Sequence, residues 1–141
     1  DNWQTYESAA REAGGTPDRA DWRVCRSIFI GDTCEEAEAA VRSNSLGRNF
    51  QYIGGLFDKG LGRKVMKRNP DAPDSETGLD YLMQEQIIHG DVDEVVRRLG
   101  SLMDETGDFG TLLLMGYDWD DRDAWTKSMR LFVDKVIPEL S

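Results

Sequence analysis

Two short apolar stretches, each followed closely by a helix-start signal, constrain this chain more than any other feature. In "WRVCRSIFI", residues 22–30, Trp22, Val24, Ile28 and Ile30 fall on one side of an extended chain, with Arg23, Cys25, Ser27 and Phe29 on the other. "GDTCEEAEAAVR" follows at once, where Thr33 and Glu36 form a capping-box pattern for a new helix. The second stretch, "FGTLLLMG", residues 109–116, is apolar without alternation, as expected of a strand covered on both faces in a parallel sheet. The acidic run "DWDDRD" then opens a helix whose stripe is Trp125, Met129, Phe132, Val133 and Val136, with Pro138 as its stop.

Helical spacing recurs elsewhere. Trp3, Tyr6, Ala10 and Ala13 predict a first helix ended by "GGTPD". Val92, Val95, Val96, Leu99, Leu102 and Met103 predict another, ended by Gly107 in a left-handed C′ position. Between these lies 44–78, rich in glycine, proline and basic residues, which reads as a long irregular insert. The order is helix, strand, helix, insert, helix, strand, helix, and such alternation means α/β with parallel strands. Two parallel strands leave unpaired backbone edges, so the sheet needs further neighbours.

At 141 residues the chain reads as one domain, too short for a closed α/β barrel of about 250 residues. A net charge of −10 argues against nucleic acid and membrane surfaces as partners, because both present phosphates that an acidic field repels. There is no apolar run of about 20 residues and no signal-peptide pattern in "DNWQTYESAAREAGG", so the expected location is cytoplasmic. Cys25 and Cys34, without a CxxC pair and with a single histidine, make no metal pattern.

Signatures of phosphate loops, nucleophile elbows and zinc hydrolases are absent. His89, followed two residues on by Asp91, suggests a general base, but Asp91 and Glu94 fit a capping box that assigns the carboxylate to helix amides instead. The acidic group Asp118, Asp120, Asp121 and Asp123 lacks the loop of a calcium site and suits a helix start. In α/β folds function sits at the carboxyl ends of strands, which here selects Gly31, Asp32 and Thr33, then Met115, Gly116, Tyr117 and Trp119. Arg23 and Arg26 lie in a buried-looking strand, where a charge needs a partner; an internal salt bridge is the expectation and a bound anion the alternative. "DKGLGRKVMKR" forms a positive island beside Phe50, Tyr52, Ile53, Leu56 and Phe57, which reads either as a mobile cover attracting an anionic group or as a solvated loop.

Taken together, "WRVCRSIFIGDTCEEAEAAV", "IIHGDVDEVVRRLGSLMDETGDFGTLLLMG" and "SMRLFVDKVIPEL" resemble the carboxy-terminal part of the bacterial luciferase-like flavin-dependent monooxygenases, in particular their limonene-monooxygenase-like branch. The residues that carry the resemblance are Arg26, Thr33 to Ala37, Ile88 to Val95 and Pro138. The resemblance implies the last two βα units of a (β/α)8 barrel, incomplete as a barrel, with residues 1–141 as a single carboxy-terminal segment. It implies reduced FMN as cofactor, O2 and a small organic substrate as reactants, and a flavin reductase as partner. It also places 44–78 as a lid near the active-site mouth, with Tyr52, Leu56, Phe57, Arg63 and Lys64 as lid or substrate candidates beside Met115, Tyr117 and Trp119.

Most flavin contacts of the family come from earlier strands, so no catalytic or flavin-binding residue is assigned from this sequence. Alone, the segment is expected to be inert and to need the missing barrel half or further copies of itself. The competing reading is a non-catalytic, self-associating binding or structural module built on the same framework.

Overall fold

The structure, a computed structural model, describes residues 2–60 and 62–140, apart from the side chain of Val65. Helix α1 (Asn2–Glu12) buries only Trp3, which packs on Trp22 at 4.7 Å between ring centroids. A 3-10 turn at Arg19–Asp21 then leads into β1 (Arg23–Ile30). Arg19 holds this entry in place, lying over the Trp3 ring and donating to the carbonyls of Thr106 and Asp108.

Helix α2 (Cys34–Ser43) starts where the sequence predicts, with Thr33 accepting from the Glu36 amide at 3.1 Å. Glu36 reaches back to the Asp32 amide rather than to that of Thr33. The first half of 44–78, expected to be irregular, is α3 (Ser45–Lys59), capped by Asn44, whose side chain accepts from the Leu46 amide. This corrects the sequence expectation of an irregular insert: Gly47 marks a close approach of two helices, and Gly54 and Gly55 are carried within the helix. A Cβ at Gly47 would stand 2.1 Å from the Val41 carbonyl oxygen, so only glycine lets α3 turn off α2 so tightly. From Gly62 to Gly78 the chain holds only short 3-10 turns, at Arg63–Met66 and Asp74–Glu76.

Helix α4 (Leu79–Gln86) runs straight into β2 (Ile87–Gly90), a strand that the sequence reading missed. Four residues are too few for alternation to register, and the strand has helices at both ends. Helix α5 (Val92–Thr106) follows with Asp91 as N-cap, its carboxylate accepting from the Glu94 amide at 2.9 Å. The expected reciprocal bond is not made, because Glu94 pairs with Arg97 instead. Gly107 ends α5 at φ 75° and ψ −176°, a positive-φ cap that lies outside the left-handed helical region.

The last strand, β3 (Thr111–Leu114), is not covered on both faces: Leu112 and Leu114 pack on the core, while Leu113 is 44% exposed and Thr111 is exposed. Helix α6 (Arg122–Leu131), a π turn (Phe132–Val136) and α7 (Ile137–Glu139) close the chain. Pro138 therefore does not stop the helix. The wider turn before it accommodates a residue with no N–H and a ring that would crowd the carbonyl four residues back. Val133, expected in the buried stripe, is 58% exposed.

The strands form one parallel sheet in the order β2-β1-β3. The two strands foreseen from sequence are thus neighbours, with β2 added outside β1. Short β2 pairs only with Ser27–Ile30, whereas β3 pairs with Arg23–Arg26, so β1 is flanked at opposite halves. Even-numbered Val24, Ile28 and Ile30 join Val95, Leu99 and Leu102 of α5 with Phe132 and Val136 in one core cluster. Phe29 and Ile87 join Ala37, Val41, Leu46, Met83 and Trp125 in the other. No helix of the described residues is long and apolar enough to cross a membrane.

Candidate functional site

The carboxyl end of β3 lies beside the middle of β1, since Leu114 is in register with Arg26 and the Met115 amide donates to the Arg26 carbonyl at 2.9 Å. That register carries Tyr117 over the odd-numbered side of β1, where its hydroxyl meets the buried Ser27 hydroxyl at 2.6 Å. Burial raises the Tyr117 phenol above its ordinary pKa, opposed by hydrogen bonds with Ser27 and Asn49, so it is the neutral form that stands here. Trp125, rooted in α6, stacks against both Tyr117 and Trp119 and meets Phe29 edge-on.

The result is an aromatic wall bearing one pair of hydroxyls. Met115 and Trp119, 48% and 46% exposed, extend it outward, and Cys25 is exposed on the same side of β1. Of the residues selected from sequence, Tyr117 and Trp119 are brought together on Trp125, and Met115 lies at the entry to this segment. Ser27, Asn49 and Trp125 were not selected. Alternation along β1 places Ser27 on the side opposite Val24 and Ile28, but only the tertiary register gives it a partner.

Helix α3 is tied to this wall at its amino end. Ser45 donates to the Asp118 carbonyl, and Arg48 pairs with Asp120 at 2.7 Å. Farther along, Tyr52 and Leu56 are exposed at 66% and 48%, while Phe57 is half-buried. Arg63 is not a free cation: it pairs with Asp58 at 2.5 Å, donates to the Thr77 carbonyl, and is held more strongly protonated by the Asp58 hydrogen bond. The positive island is largely neutralised in the same way, Lys67 by Asp74 and Arg68 by Glu85 and Glu105. Lys64 is exposed and has no ion pair among the described residues.

The remaining candidates have structural partners. Asp32 pairs with Lys127, Thr33 caps α2, and Gly31 is buried with its amide on the Gly90 carbonyl. His89 is half-buried, its Nδ1 3.2 Å from the Ile87 carbonyl oxygen, and desolvation holds its pKa below the ordinary value. Asp91 caps α5 rather than orienting His89. Among the described residues no group of three or more His, Cys, Asp or Glu side chains is placed to hold a metal. Arg23 and Arg26 make no ion pair among the described residues, which corrects the expected internal salt bridge; Arg23 is exposed, and Arg26 is half-buried and donates to the Cys25 carbonyl.

No family model matches the chain. In sequence it is 28% identical over 141 residues to 3,6-diketocamphane 1,6-monooxygenase of Pseudomonas putida, covering 99% of the chain and 37% of that protein. Limonene 1,2-monooxygenase of Rhodococcus erythropolis is 26% identical over 142 residues, covering 100% of the chain and 34% of that protein. In structure it is similar to the oxygenating constituent of 3,6-diketocamphane monooxygenase from Pseudomonas putida, a type II Baeyer-Villiger monooxygenase solved in complex with FMN. The TM-score is 0.84 at 28% identity, covering 99% of the chain and 39% of that structure. The chain therefore spans between a third and two-fifths of the length of these relatives. Along nearly its whole length it is homologous to the luciferase-like flavin-dependent monooxygenases, and the part of them that it resembles is the carboxy-terminal one.

Proposed function

We propose that this chain forms one wall of the oxygenation chamber of an FMN-dependent monooxygenase, with β1 and β3 as adjacent strands of a (β/α)8 barrel. The observation that carries the reading is the likeness to an oxygenating constituent solved with FMN, over 99% of this chain. The exposed side of the sheet suits that role, since Leu113, Met115 and Trp119 are large apolar side chains left open to solvent. In a complete barrel they would face the interior.

These residues fit a flat, partly polar ring system as one wall of its site. Trp119 and Met115 offer apolar contact, and the Ser27–Tyr117 pair offers a neutral hydroxyl for hydrogen bonding. When bound, reduced FMN supplies the electrons that activate O2, and the protein's part is to exclude water and orient the substrate. Tyr117 holds its proton at the hydroxyl and offers it to an oxygen atom in the chamber. Helix α3 and the segment after it, with Tyr52, Leu56, Phe57, Arg63 and Lys64, form the cover over a small organic substrate. A flavin reductase supplies the reduced cofactor, and the working compartment is the cytoplasm.

The test is anaerobic titration with reduced FMN of the 141-residue chain and of any longer polypeptide from the same source that contains it, followed by oxygen uptake with cyclic ketones and terpenes. The longer form binds and turns over, and the isolated chain does neither. A longer form that ignores flavin overturns the reading. A self-associating, non-catalytic module is favoured by one observation, the solvent-open β3 with Leu113 and Met115 exposed. Light scattering on the isolated chain decides it, through a stable dimer in the absence of any flavin-binding longer form.

A further inference from the structure

The Tyr117 phenol is where three elements meet. Its oxygen lies 2.6 Å from the Ser27 hydroxyl of β1 and is hydrogen-bonded by Asn49 of α3, while the ring hangs from the segment that leaves β3. Asn49 is held in place by its neighbours. It lies one helical turn beyond Ser45, on the same face of α3, and directly follows Arg48. Ser45 donates to the Asp118 carbonyl, and Arg48 pairs with Asp120 at 2.7 Å. These two contacts clamp the start of α3 along 117–120 and keep the Asn49 amide against the phenol.

A phenol has one proton to give and an oxygen that accepts, so a hydroxyl and an amide beside it can be wired in more than one direction. Burial decides the first bond. Ser27 is 4% exposed and Tyr117 is the only partner of its side chain among the described residues, so a Ser27 proton not given to Tyr117 would be stranded in the core. Tyr117 is half-buried and can turn its own proton to the open side. Stranding is the exception here: among the described residues Asn44 Nδ2 is the one buried side-chain nitrogen or oxygen without a partner. The second bond acts in the same sense, since Asn49, like Ser27, favours the ionised phenol against the effect of burial, as a donor to the oxygen does.

We infer that Ser27 and Asn49 are positioning residues that both donate to the Tyr117 oxygen, so that the phenol proton points away from β1 and α3 into the open side of the sheet. The wall thereby presents a donor of fixed direction. Because Asn49 belongs to the cover helix, the seating of α3 on 117–120 and the direction of the proton are set together. A phenol wired in this way meets an oxygen that accepts a hydrogen bond, such as a carbonyl, rather than a group that must donate one. The identity of that acceptor rests on the monooxygenase reading; the direction of the two hydrogen bonds does not.

The test is the Raman spectrum of the 141-residue chain, with the Tyr117 ring doublet obtained by subtracting the spectrum of Tyr117→Phe. The intensity ratio of that doublet is high for a phenol that accepts and low for one that donates strongly, and it needs no flavin. The natural chain is expected at the accepting end. Ser27→Ala removes one donor and lowers the ratio, whereas Ser27→Thr keeps the hydroxyl and keeps the ratio. Asn49→Asp replaces the other donor with a carboxylate that only accepts, and moves the ratio severalfold, to the donating end. Near-UV circular dichroism checks that each chain is folded; if Ser27→Ala is not, half-buried Asn49 carries the decision through Asn49→Asp. A natural chain at the donating end, a ratio that rises in Ser27→Ala, or one unmoved by Asn49→Asp overturns the inference. If these spectra behave as expected and a longer polypeptide ignores FMN, the chamber falls and the wiring stands.

Discussion

The hydroxyls of Ser27 and Tyr117, 90 residues apart in sequence, meet at 2.6 Å and join the middle of β1 to the segment leaving β3. Ser27 is buried, whereas Tyr117 is only half-buried and has Asn49 as a second partner. Removing the phenol strands a buried hydroxyl, while removing the serine hydroxyl leaves Tyr117 with another partner. Tyr117→Phe is therefore expected to cost about 1–3 kcal/mol and Ser27→Ala less, measured by urea unfolding. Equal costs would remove the asymmetry on which this rests.

Ser128, fully buried on α6, accepts from the Ile30 amide at 2.9 Å, beyond the reach of β3 on that edge. Ser128→Ala leaves that amide unpaired in the core. It should lower stability by about 1–3 kcal/mol with no change in the slope against denaturant.

The two halves of the α5 start differ in weight. Asp91→Ala removes the cap on the Glu94 amide and should cost about 1 kcal/mol. Glu94→Gln disturbs only a solvent-facing pair with Arg97 and should cost a fraction of that in the same unfolding assay.

Burial lowers the His89 pKa from 6.5, reinforced by the Arg98 charge and opposed by its hydrogen bond to Ile87 and by Glu38 and Glu94. Between the lowered folded value and 6.5 the unfolded chain binds more protons than the folded one, so stability must fall as pH drops through that window. His89→Gln should flatten this part of the melting-temperature profile. A wild-type profile that rises on acidification below 6.5 would contradict the burial of a neutral ring.

Arg63 staples the turn after α3 to Asp58 and to the Thr77 carbonyl. Arg63→Ala should accelerate proteolytic cleavage within 62–78 severalfold while leaving the thermal midpoint of the core nearly unchanged, because few core side chains come from this segment. A fall in the thermal midpoint that matches the gain in cleavage would mean that the segment unfolds with the core and cannot serve as a separately moving cover.

Much of the fold was legible because its signals are local. The β1 alternation, the Thr33 and Asp91 caps and the α5 stripe as far as Leu102 depend on neighbours within a few residues and stand where the sequence put them, whereas Met103, expected in that stripe, is exposed. The failures have physical causes as well. Glycines in α3 imitate a loop, although Gly47 is there to let the chain pass close to Val41. Four-residue β2 is too short for a period, and Pro138 was absorbed by a widened turn. The site was only partly readable: Tyr117 and Trp119 followed from their place after a strand, but Ser27 did not.

What the amino-acid sequence determined by itself was two of the three parallel strands, the helices that follow them with α1 and α5, their capped beginnings, and a resemblance to one part of a flavin monooxygenase. Only the tertiary structure decided which charges cancel. Arg68 and Arg97 take the nearby carboxylates, while half-buried Arg26 and Arg98 make no direct ion pair among the described residues. The reason is that an ion pair within about 4 Å requires elements remote in the chain to be packed in one orientation, and strand order and register set that orientation.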